Sequence, residues 1–219
     1  MRVAGVDGRR GGWVVATVDI TSAPTLVSLE YVAPLAPALA ADLRVIAIDM
    51  PIGLSDDGPR ACDQAARRLL QPHGTRVFPA PPRVALEHAG HYDAACRASV
   101  SATGKSLSKQ TWNLLAAVAE VDALADDDRI VECHPELAFA LMQGHPVDER
   151  KKTPDGRAVR LGLLRQWLPE LGDPAYGDDG LDAIACAWSA ARIATGSAMT
   201  LPAGDPPRDS AGRRMTITA

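Results

Sequence analysis

Acidic side chains occur at the ends of segments whose apolar runs are typical of buried strands. Asp7, Asp49 and Glu132 each lie at or next to the carboxyl end of such a segment, and Asp182 lies in the first turn of the last predicted helix. If the strands that end at Asp49 and Glu132 run parallel to the first strand, their ends meet at one edge of the sheet. Ligands of open α/β sheets bind at that edge.

Several carboxylates within a few ångströms repel one another, and each raises the pKa of its neighbours. A divalent cation relieves this repulsion, and oxygen ligands with open positions suit Mg²⁺ or Mn²⁺. A pair of such ions would stabilise both the attacking and the leaving oxygen of a phosphodiester. The convergence of Asp7, Asp49, Glu132 and Asp182 therefore predicts a metal site for phosphodiester hydrolysis, with Asp179 as a further candidate ligand.

Several residues of this region also have a simpler interpretation. An aspartate such as Asp49 after a strand often forms a turn. Asp179 is well placed to cap a helix or to interact with its dipole, and Glu136, in the first turn of its helix, is explained by the dipole alone. His134 is explained as the N-terminal neighbour or the cap of that helix, and a metal ligand is the alternative. Asp182 is harder to explain in this way because other residues already supply the cap.

Three basic residues are candidates for positioning a phosphate backbone. Arg60 and Lys109 belong to a segment rich in lysine and arginine, and Lys152 belongs to a second basic stretch that begins at Arg150. Side chains of this kind contact phosphates in protein complexes with nucleic acids. The alternative for Lys109 and Lys152 is that they are ordinary solvated surface lysines.

The order of the predicted elements defines a fold class. Short connections between the first three strands indicate an antiparallel meander, and two later apolar strands follow helical connections. The predicted strands cover residues 2–6, 13–18, 25–32, 45–48 and 129–133. The sequence thus predicts an α/β protein in which a three-strand antiparallel meander and two parallel strands form a mixed sheet flanked by helices.

The remaining elements predict one domain over residues 1–200. Residues 53–107 form an insertion with a basic surface and helices near 60–70 and 84–100, and residues 145–170 form a second insertion. A short helix is expected over 34–42, Ser108 is expected to cap a helix, and the last helix is expected to start at Asp178 or Asp179. Residues 203–219 are rich in proline, glycine, arginine and threonine, which predicts a flexible tail.

Composition excludes several classes of protein. The 219 residues carry 23 Lys and Arg against 27 Asp and Glu, a net charge of −4 that argues against a general nucleic-acid coat protein. No apolar run reaches the length of a membrane span, and no signal peptide is evident. The four widely spaced cysteines form neither a zinc motif nor a disulfide framework. We therefore expect a cytoplasmic protein that does not contact a membrane.

A series of short motifs resembles a known family. Early matches are Gly5-Val6-Asp7-Gly8 and Ile48-Asp49-Met50-Pro51, and the rest of the series is Arg60-Ala61-Cys62-Asp63, Ser108-Lys109-Gln110, Glu132-Cys133-His134-Pro135-Glu136, Lys151-Lys152-Thr153-Pro154 and Asp182-Ala183. The chain is similar to members of the domain of unknown function 429 family, which are labelled predicted RNase H-like nucleases. The resemblance extends from residue 3 to about residue 196, and it implies an RNase H-like fold.

A second resemblance concerns the start of the last helix. The segment from Asp179 to Ala185 is similar to the corresponding segment of RuvC-type resolvases. In that superfamily an acid on the first strand, one on the fourth strand and one on the final helix bind the metals. Carried over to this sequence, the resemblance implies Asp7, Asp49 and Asp182 as ligands. Glu132, on the fifth strand, would be an additional or substitute ligand.

Three functional hypotheses follow. The first is a nuclease that uses Mg²⁺ or Mn²⁺ to hydrolyse nucleic acid or a nucleotide. The second is a nucleotide-dependent phosphotransferase of the actin-like or sugar-kinase class, with residues 7–12 as a phosphate loop. The third is a non-catalytic regulatory module on the same fold. The sequence leaves the type of substrate and the oligomeric state open, a homo-oligomer being one alternative.

Overall fold

A five-stranded mixed sheet forms the centre of the protein in the computed structural model, which describes residues 1–219. Its strands are β1 (Arg2–Arg9), β2 (Gly12–Asp19), β3 (Thr25–Val32), β4 (Leu43–Ile48) and β5 (Ile130–Glu132). They lie in the order β3-β2-β1-β4-β5, with antiparallel pairing within the first three strands and parallel pairing of β4 with both β1 and β5. The predicted mixed sheet, a three-strand antiparallel meander with two parallel strands, is confirmed.

Six α-helices surround this sheet. They are α1 (Ala61–Leu69), α2 (Tyr92–Thr103), α3 (Lys109–Leu124), α4 (Pro135–Gln143), α5 (Pro154–Trp167) and α6 (Asp178–Ala194). Ser108 caps α3 as predicted, because its Oγ accepts a hydrogen bond of 3.0 Å from the Thr111 backbone N–H. None of these helices is long and apolar enough to span a membrane.

Alternation of side chains along the strands creates two hydrophobic cores, one on each face of the sheet. On β1, Val3 packs with α4, α5 and α6, whereas Ala4 and Val6 pack on the opposite face with α3. Because both faces are covered, the central strands are apolar almost throughout. We call the two sides the α6 face and the α3 face.

Gly5 on β1 lies where the sheet and α6 pack closely together. A Cβ atom built on Gly5 would lie 2.0 Å from the Ala187 backbone nitrogen and 2.1 Å from the Ala183 carbonyl oxygen. These contacts are with helix backbone, which cannot move aside as a flexible side chain would. Glycine at this position therefore fixes the distance between α6 and the ends of β1 and β4.

Gly5→Ala is expected to lower the free energy of unfolding by about 3 kcal/mol, at the upper end of the usual cost of overpacking. The measurement is urea denaturation followed by circular dichroism. Gly90→Ala is the matched control, since a Cβ atom there meets nothing within 4 Å. A Gly5→Ala protein as stable as the wild type would show that α6 is not held this close to the sheet.

Two predicted helices differ from the structure. The segment 34–42 contains only a single 3₁₀ turn, Ala36–Ala38, because Pro37 interrupts the alanine-rich run. The helix predicted over 84–100 is divided at Gly90 into a 3₁₀ helix, Arg83–His88, and α2. Glycine is a poor helix former, so the chain changes direction there.

Residues 203–219, predicted as a flexible tail, are packed against the domain. They contain β7 (Ile217–Thr218), which pairs with β6 (Thr200–Leu201). Met215 and Ile217 are buried in a small core with α1, and the Asp209 carboxylate accepts a hydrogen bond of 3.0 Å from the Leu54 backbone N–H. The apolar residues alternate with polar ones at this end of the chain, as they do in a half-buried strand. The prediction of a flexible tail was based on the overall composition of the segment and did not take this alternation into account.

Candidate functional site

A cleft of about 820 Å³ opens at the carboxyl ends of β1 and β4, between the sheet, α3 and the start of α5. Nine of the ten residues singled out in the sequence line it, namely Asp7, Asp49, Arg60, Glu132, His134, Glu136, Lys152, Asp179 and Asp182. The exception is Lys109, whose ammonium group instead lies 3.7 Å from the centre of the Tyr92 ring. The convergence predicted from the ends of the strands therefore produces a single cleft.

Asp7, Asp49 and Asp182 form a buried carboxylate cluster at the bottom of the cleft. Asp7 and Asp49 follow paired positions on β1 and β4, so their side chains project from the α6 face, where Asp182 on α6 meets them. Asp7 is 7% exposed and Asp182 is 2% exposed. These three residues are the part of the predicted set that the fold brings together as one group.

Burial governs the protonation of the carboxylate cluster. It raises the pKa of Asp7 well above its ordinary value, and the Asp182 and Asp49 carboxylates raise this pKa further. Burial also raises the pKa of Asp49 and brings that of Asp182 to about 6, although the Lys151 ammonium opposes both increases. Burial is thus the main reason why these carboxyl groups retain their protons to higher pH than an exposed aspartate does.

Lys151 supplies a cation to the carboxylate cluster. Its Nζ lies 2.7 Å from Asp182 Oδ2, while its side chain remains 45% exposed towards the cleft. Burial lowers the pKa of Lys151, but the Asp182, Asp7 and Asp49 carboxylates outweigh burial and raise this pKa above its ordinary value. Sequence reasoning selected Lys152 instead, which is exposed at the mouth of the cleft. The run of adjacent basic residues was the available signal, but it did not show which lysine points inward.

Glu132 lies on the opposite side of the sheet from the carboxylate cluster. Its register partner on β4 is Ile48, which packs on the α3 face, whereas Asp49 comes one residue later. Cys133, one residue after Glu132, is the residue that packs on the α6 face. Successive side chains of a strand point to opposite faces of the sheet, so Glu132 projects from the face opposite to Asp49. The strand β5 therefore contributes no carboxylate to the cluster. The prediction that Glu132 is a metal ligand with Asp7 and Asp49 is therefore not supported.

Arg60 forms a buried ion pair with Glu132. Its Nη2 lies 2.6 Å from Glu132 Oε1 and its Nη1 lies 2.7 Å from Oε2, which also accepts a 2.7 Å hydrogen bond from the Ile52 backbone N–H. Asp63 accepts a further hydrogen bond from the same guanidinium group. With a residue exposure of 3%, Arg60 is a structural residue, not the substrate-positioning residue that the sequence predicted.

Glu136 and His134 extend the site beyond β5. Arg160 binds Glu136 through both carboxylate oxygens, at 2.7 and 3.0 Å, and Arg76 binds it at 2.7 Å. Burial raises the pKa of Glu136, but these two guanidinium groups outweigh it and hold the pKa below its ordinary value. His134 makes no capping hydrogen bond to α4, and its buried Nδ1 has no partner. His134 therefore occupies the N-cap position directly before α4, as the sequence predicted, but its side chain does not cap the helix.

The segment from Asp7 to Gly12 does not form a phosphate loop. Residues 9 and 12 are paired in the β1–β2 ladder, which leaves Arg10 and Gly11 as a tight hairpin turn. Arg9 binds Asp179 through a hydrogen bond of 2.8 Å, so the Asp179 carboxylate already has a cationic partner. Of the glycines in this segment, only Gly8 lines the cleft.

Comparison with known proteins identifies the family of this chain. A family model described as "Protein of unknown function (DUF429)" matches residues 5–207. The chain belongs to the DUF429 family. No curated protein matches it.

Two solved structures are similar to this DUF429 protein at low sequence identity. One is the RuvC structure of Thermus thermophilus, with 11% identity and a TM-score of 0.44, over 90% of this chain and 98% of that chain. The other is T. thermophilus RuvC in complex with a Holliday junction substrate, with the same identity and TM-score, over 90% of this chain and 97% of that chain.

The DUF429 site combines the oxygen atoms of three carboxyl groups with the ammonium group of Lys151. Asp7, Asp49 and Asp182 could hold a divalent ion through carboxylate oxygens. In the structure, no group of three or more His, Cys, Asp or Glu side chains has the spacing of a metal site. The Lys151 ammonium, bound to Asp182, takes part of the charge that a metal would otherwise neutralise.

Proposed function

We propose that this DUF429 protein is a divalent-metal-dependent nuclease that hydrolyses phosphodiester bonds of nucleic acid. The observation that carries the proposal is the buried cluster of Asp7, Asp49 and Asp182, in which the Lys151 ammonium binds Asp182. Three carboxylates and one ammonium give −3 + 1, a formal charge of −2 when all four are ionised. That charge equals in magnitude the charge of one Mg²⁺ or Mn²⁺ ion.

The carboxylates of the cluster have the chemical character that a divalent ion requires of its ligands. Asp7 and Asp49 have no basic side chain bonded to their carboxylates, in contrast to Glu132 and Glu136, whose oxygens are bound by arginine. His134 lies next to Asp49, where it lowers the pKa of that carboxyl group, and its Nδ1 lacks a partner. Asp7, Asp49 and Asp182 would hold the metal, with His134 beside them. When bound, the metal would lower the pKa of a water molecule and polarise the phosphate.

Other residues of the cleft would handle the substrate. Arg150 and Lys152 line the mouth and form no ion pair, so their charges are available for phosphate oxygens. With the Asp182 carboxylate neutralised, the Lys151 ammonium would bind a phosphate oxygen of the substrate instead. The positive charge of Lys151 would then stay close to the reacting phosphate. Glu132 and Arg60 would support the floor of the cleft from the α3 face without contacting the substrate.

The proposal is tested by assaying hydrolysis of labelled single-stranded, duplex, hybrid and branched oligonucleotides with Mg²⁺ or Mn²⁺. We expect metal-dependent cleavage, and we expect Asp49→Asn to slow it by more than about tenfold, since even second-shell changes at metal sites cost 10- to 100-fold. Asp178→Asn, on the same helix as Asp182 but outside the cleft, should cleave at the wild-type rate. Equal cleavage by Asp49→Asn and wild type would refute the assignment.

A further inference from the structure

The cleft has an exposed aromatic side chain in one wall. Phe78 is 49% exposed although the neighbouring Val77 is buried in the core around α1. The backbone on both sides of Phe78 is anchored, because Arg67 donates hydrogen bonds of 3.0 and 2.8 Å to the Val77 carbonyl and Asp63 accepts one of 3.2 Å from the Ala80 N–H. The backbone thus fixes the position of Phe78 at the cleft, although its ring is not packed in a hydrophobic core.

The wall formed by α3 presents two amide side chains. Gln110 and Asn113 are exposed, line the cleft and lie three residues apart, so they share one side of the helix. The local hydrogen bonds at this end of α3 join Ser108 and Thr111 instead, which leaves both amides free. Each amide offers donors and an acceptor, the combination that binds the edge of a nucleobase.

The size and charge of the cleft limit what it can accept. Its volume of about 820 Å³ is that of a small-molecule pocket. Binding to a duplex depends mainly on many neutralised phosphates, whereas the mouth supplies two unpaired cations, Arg150 and Lys152, in a protein of net charge −4. Base-paired nucleic acid is therefore a poor match, and one nucleotide removed from its partner strand is a good one.

We propose that the cleft binds one unpaired nucleotide, with its base stacked on Phe78, its base edge against Gln110 and Asn113, and its phosphate towards Arg150, Lys152 and the carboxylate cluster. This inference rests on the proposed function, and it names the substrate class of that site. The bound nucleotide could belong to a nucleic-acid single strand or be a free nucleotide, because both present the same base and phosphate. Stacking tolerates any base, so Phe78 would provide affinity and the two amides would provide selectivity.

The test is fluorescence anisotropy with a labelled phosphorothioate single strand that resists hydrolysis, its blunt duplex, and unlabelled mononucleotides as competitors. We expect the single strand to bind at least about tenfold more tightly than the duplex, Phe78→Ala to weaken this binding about tenfold, and Phe78→Trp to retain it. Tyr31→Ala is the matched control, because Tyr31 is an exposed aromatic residue that does not line the cleft. If a mononucleotide binds to the wild type and not to Phe78→Ala, while the single strand does not bind more tightly than the mononucleotide, the free nucleotide is the source.

Either of two binding results would overturn the inference. They are equal affinity of Phe78→Ala and wild type for every probe, and a duplex that binds more tightly than the single strand. Hydrolysis that requires Asp49 but not Phe78 would overturn the nucleotide subsite alone. Binding that requires Phe78 without hydrolysis in Mg²⁺ or Mn²⁺ would support the subsite and would count against the proposed function.

Discussion

Arg60→Met is expected to lower the free energy of unfolding by about 3–5 kcal/mol at pH 8, the cost of breaking a buried ion pair by removing one partner. The variant leaves the Glu132 carboxylate buried on the α3 face without its two bonds of 2.6 and 2.7 Å. It also removes the donors to the Ile52 and Gly53 carbonyls, at 3.2 and 3.1 Å. Urea denaturation of the variant and the wild type measures the difference.

The effect of Arg60→Met should depend on pH. Burial raises the pKa of Glu132 to about 7 in the folded protein, against the lowering effect of Arg60, so removal of Arg60 raises this pKa further. A carboxyl group whose pKa is raised by folding binds more protons in the folded state, and stability then falls as pH rises through that range. The destabilisation should therefore be smaller at pH 5 than at pH 8.

A double variant separates the ion pair from simple loss of packing. Arg60→Met combined with Glu132→Met removes both charges and should recover much of the lost stability, because apolar replacements of a buried pair are often neutral or better. The same loss in the single and double variants would show that Arg60 acts through its contacts with Ile52 and Gly53 instead.

Asp7→Asn is expected to lower the affinity for Mn²⁺ by more than about 100-fold, because loss of a ligand should exceed the 10- to 100-fold cost of second-shell changes. Lys151→Met should have the opposite effect and bind Mn²⁺ more tightly than the wild type, since Lys151 Nζ is bound to Asp182 and competes with a metal. Calorimetric titration of each protein measures both effects. Weaker binding by Lys151→Met would show that Lys151 supports the metal site.

The affinity for Mn²⁺ should also rise with pH. Burial raises the pKa of Asp182 to about 6, and a metal must displace the proton that this carboxyl group holds below that value. Titrations at pH 5 and pH 7 should therefore show tighter binding at pH 7, with proton uptake by the buffer at the lower pH.

The sheet and the three acids of the carboxylate cluster follow from the sequence because the local signals are strong. The apolar runs before Asp7 and Asp49 are those of strands buried on both faces, and the i, i+3, i+4 stripe of α6 positions Asp182 towards the sheet. The carboxyl ends of parallel strands lie at the same edge of a sheet, and this does not depend on which side chains the strands carry. The grouping of these three acids was therefore predictable.

The role of Glu132 required the strand register, which depends on tertiary pairing. The sequence shows that an acid ends β5, but only the alignment of Glu132 with Ile48 shows that it projects from the α3 face. Its partner Arg60 lies 72 residues earlier, in an insertion without a sequence pattern that links the two. The same limitation applies to Lys151, whose contact with Asp182 spans 31 residues. Ion pairs between distant segments are set by the fold.

The carboxylate cluster is tested most directly by calorimetric titration of Mn²⁺ into the wild type, Asp7→Asn and Asp178→Asn under the same conditions. Asp178→Asn makes the same change of charge on α6 outside the cleft. We predict saturable binding to the wild type and to Asp178→Asn, and its loss in Asp7→Asn. Binding to Asp7→Asn with wild-type affinity, or no binding to the wild type with or without a single-stranded phosphorothioate oligonucleotide, would contradict a metal site at Asp7, Asp49 and Asp182.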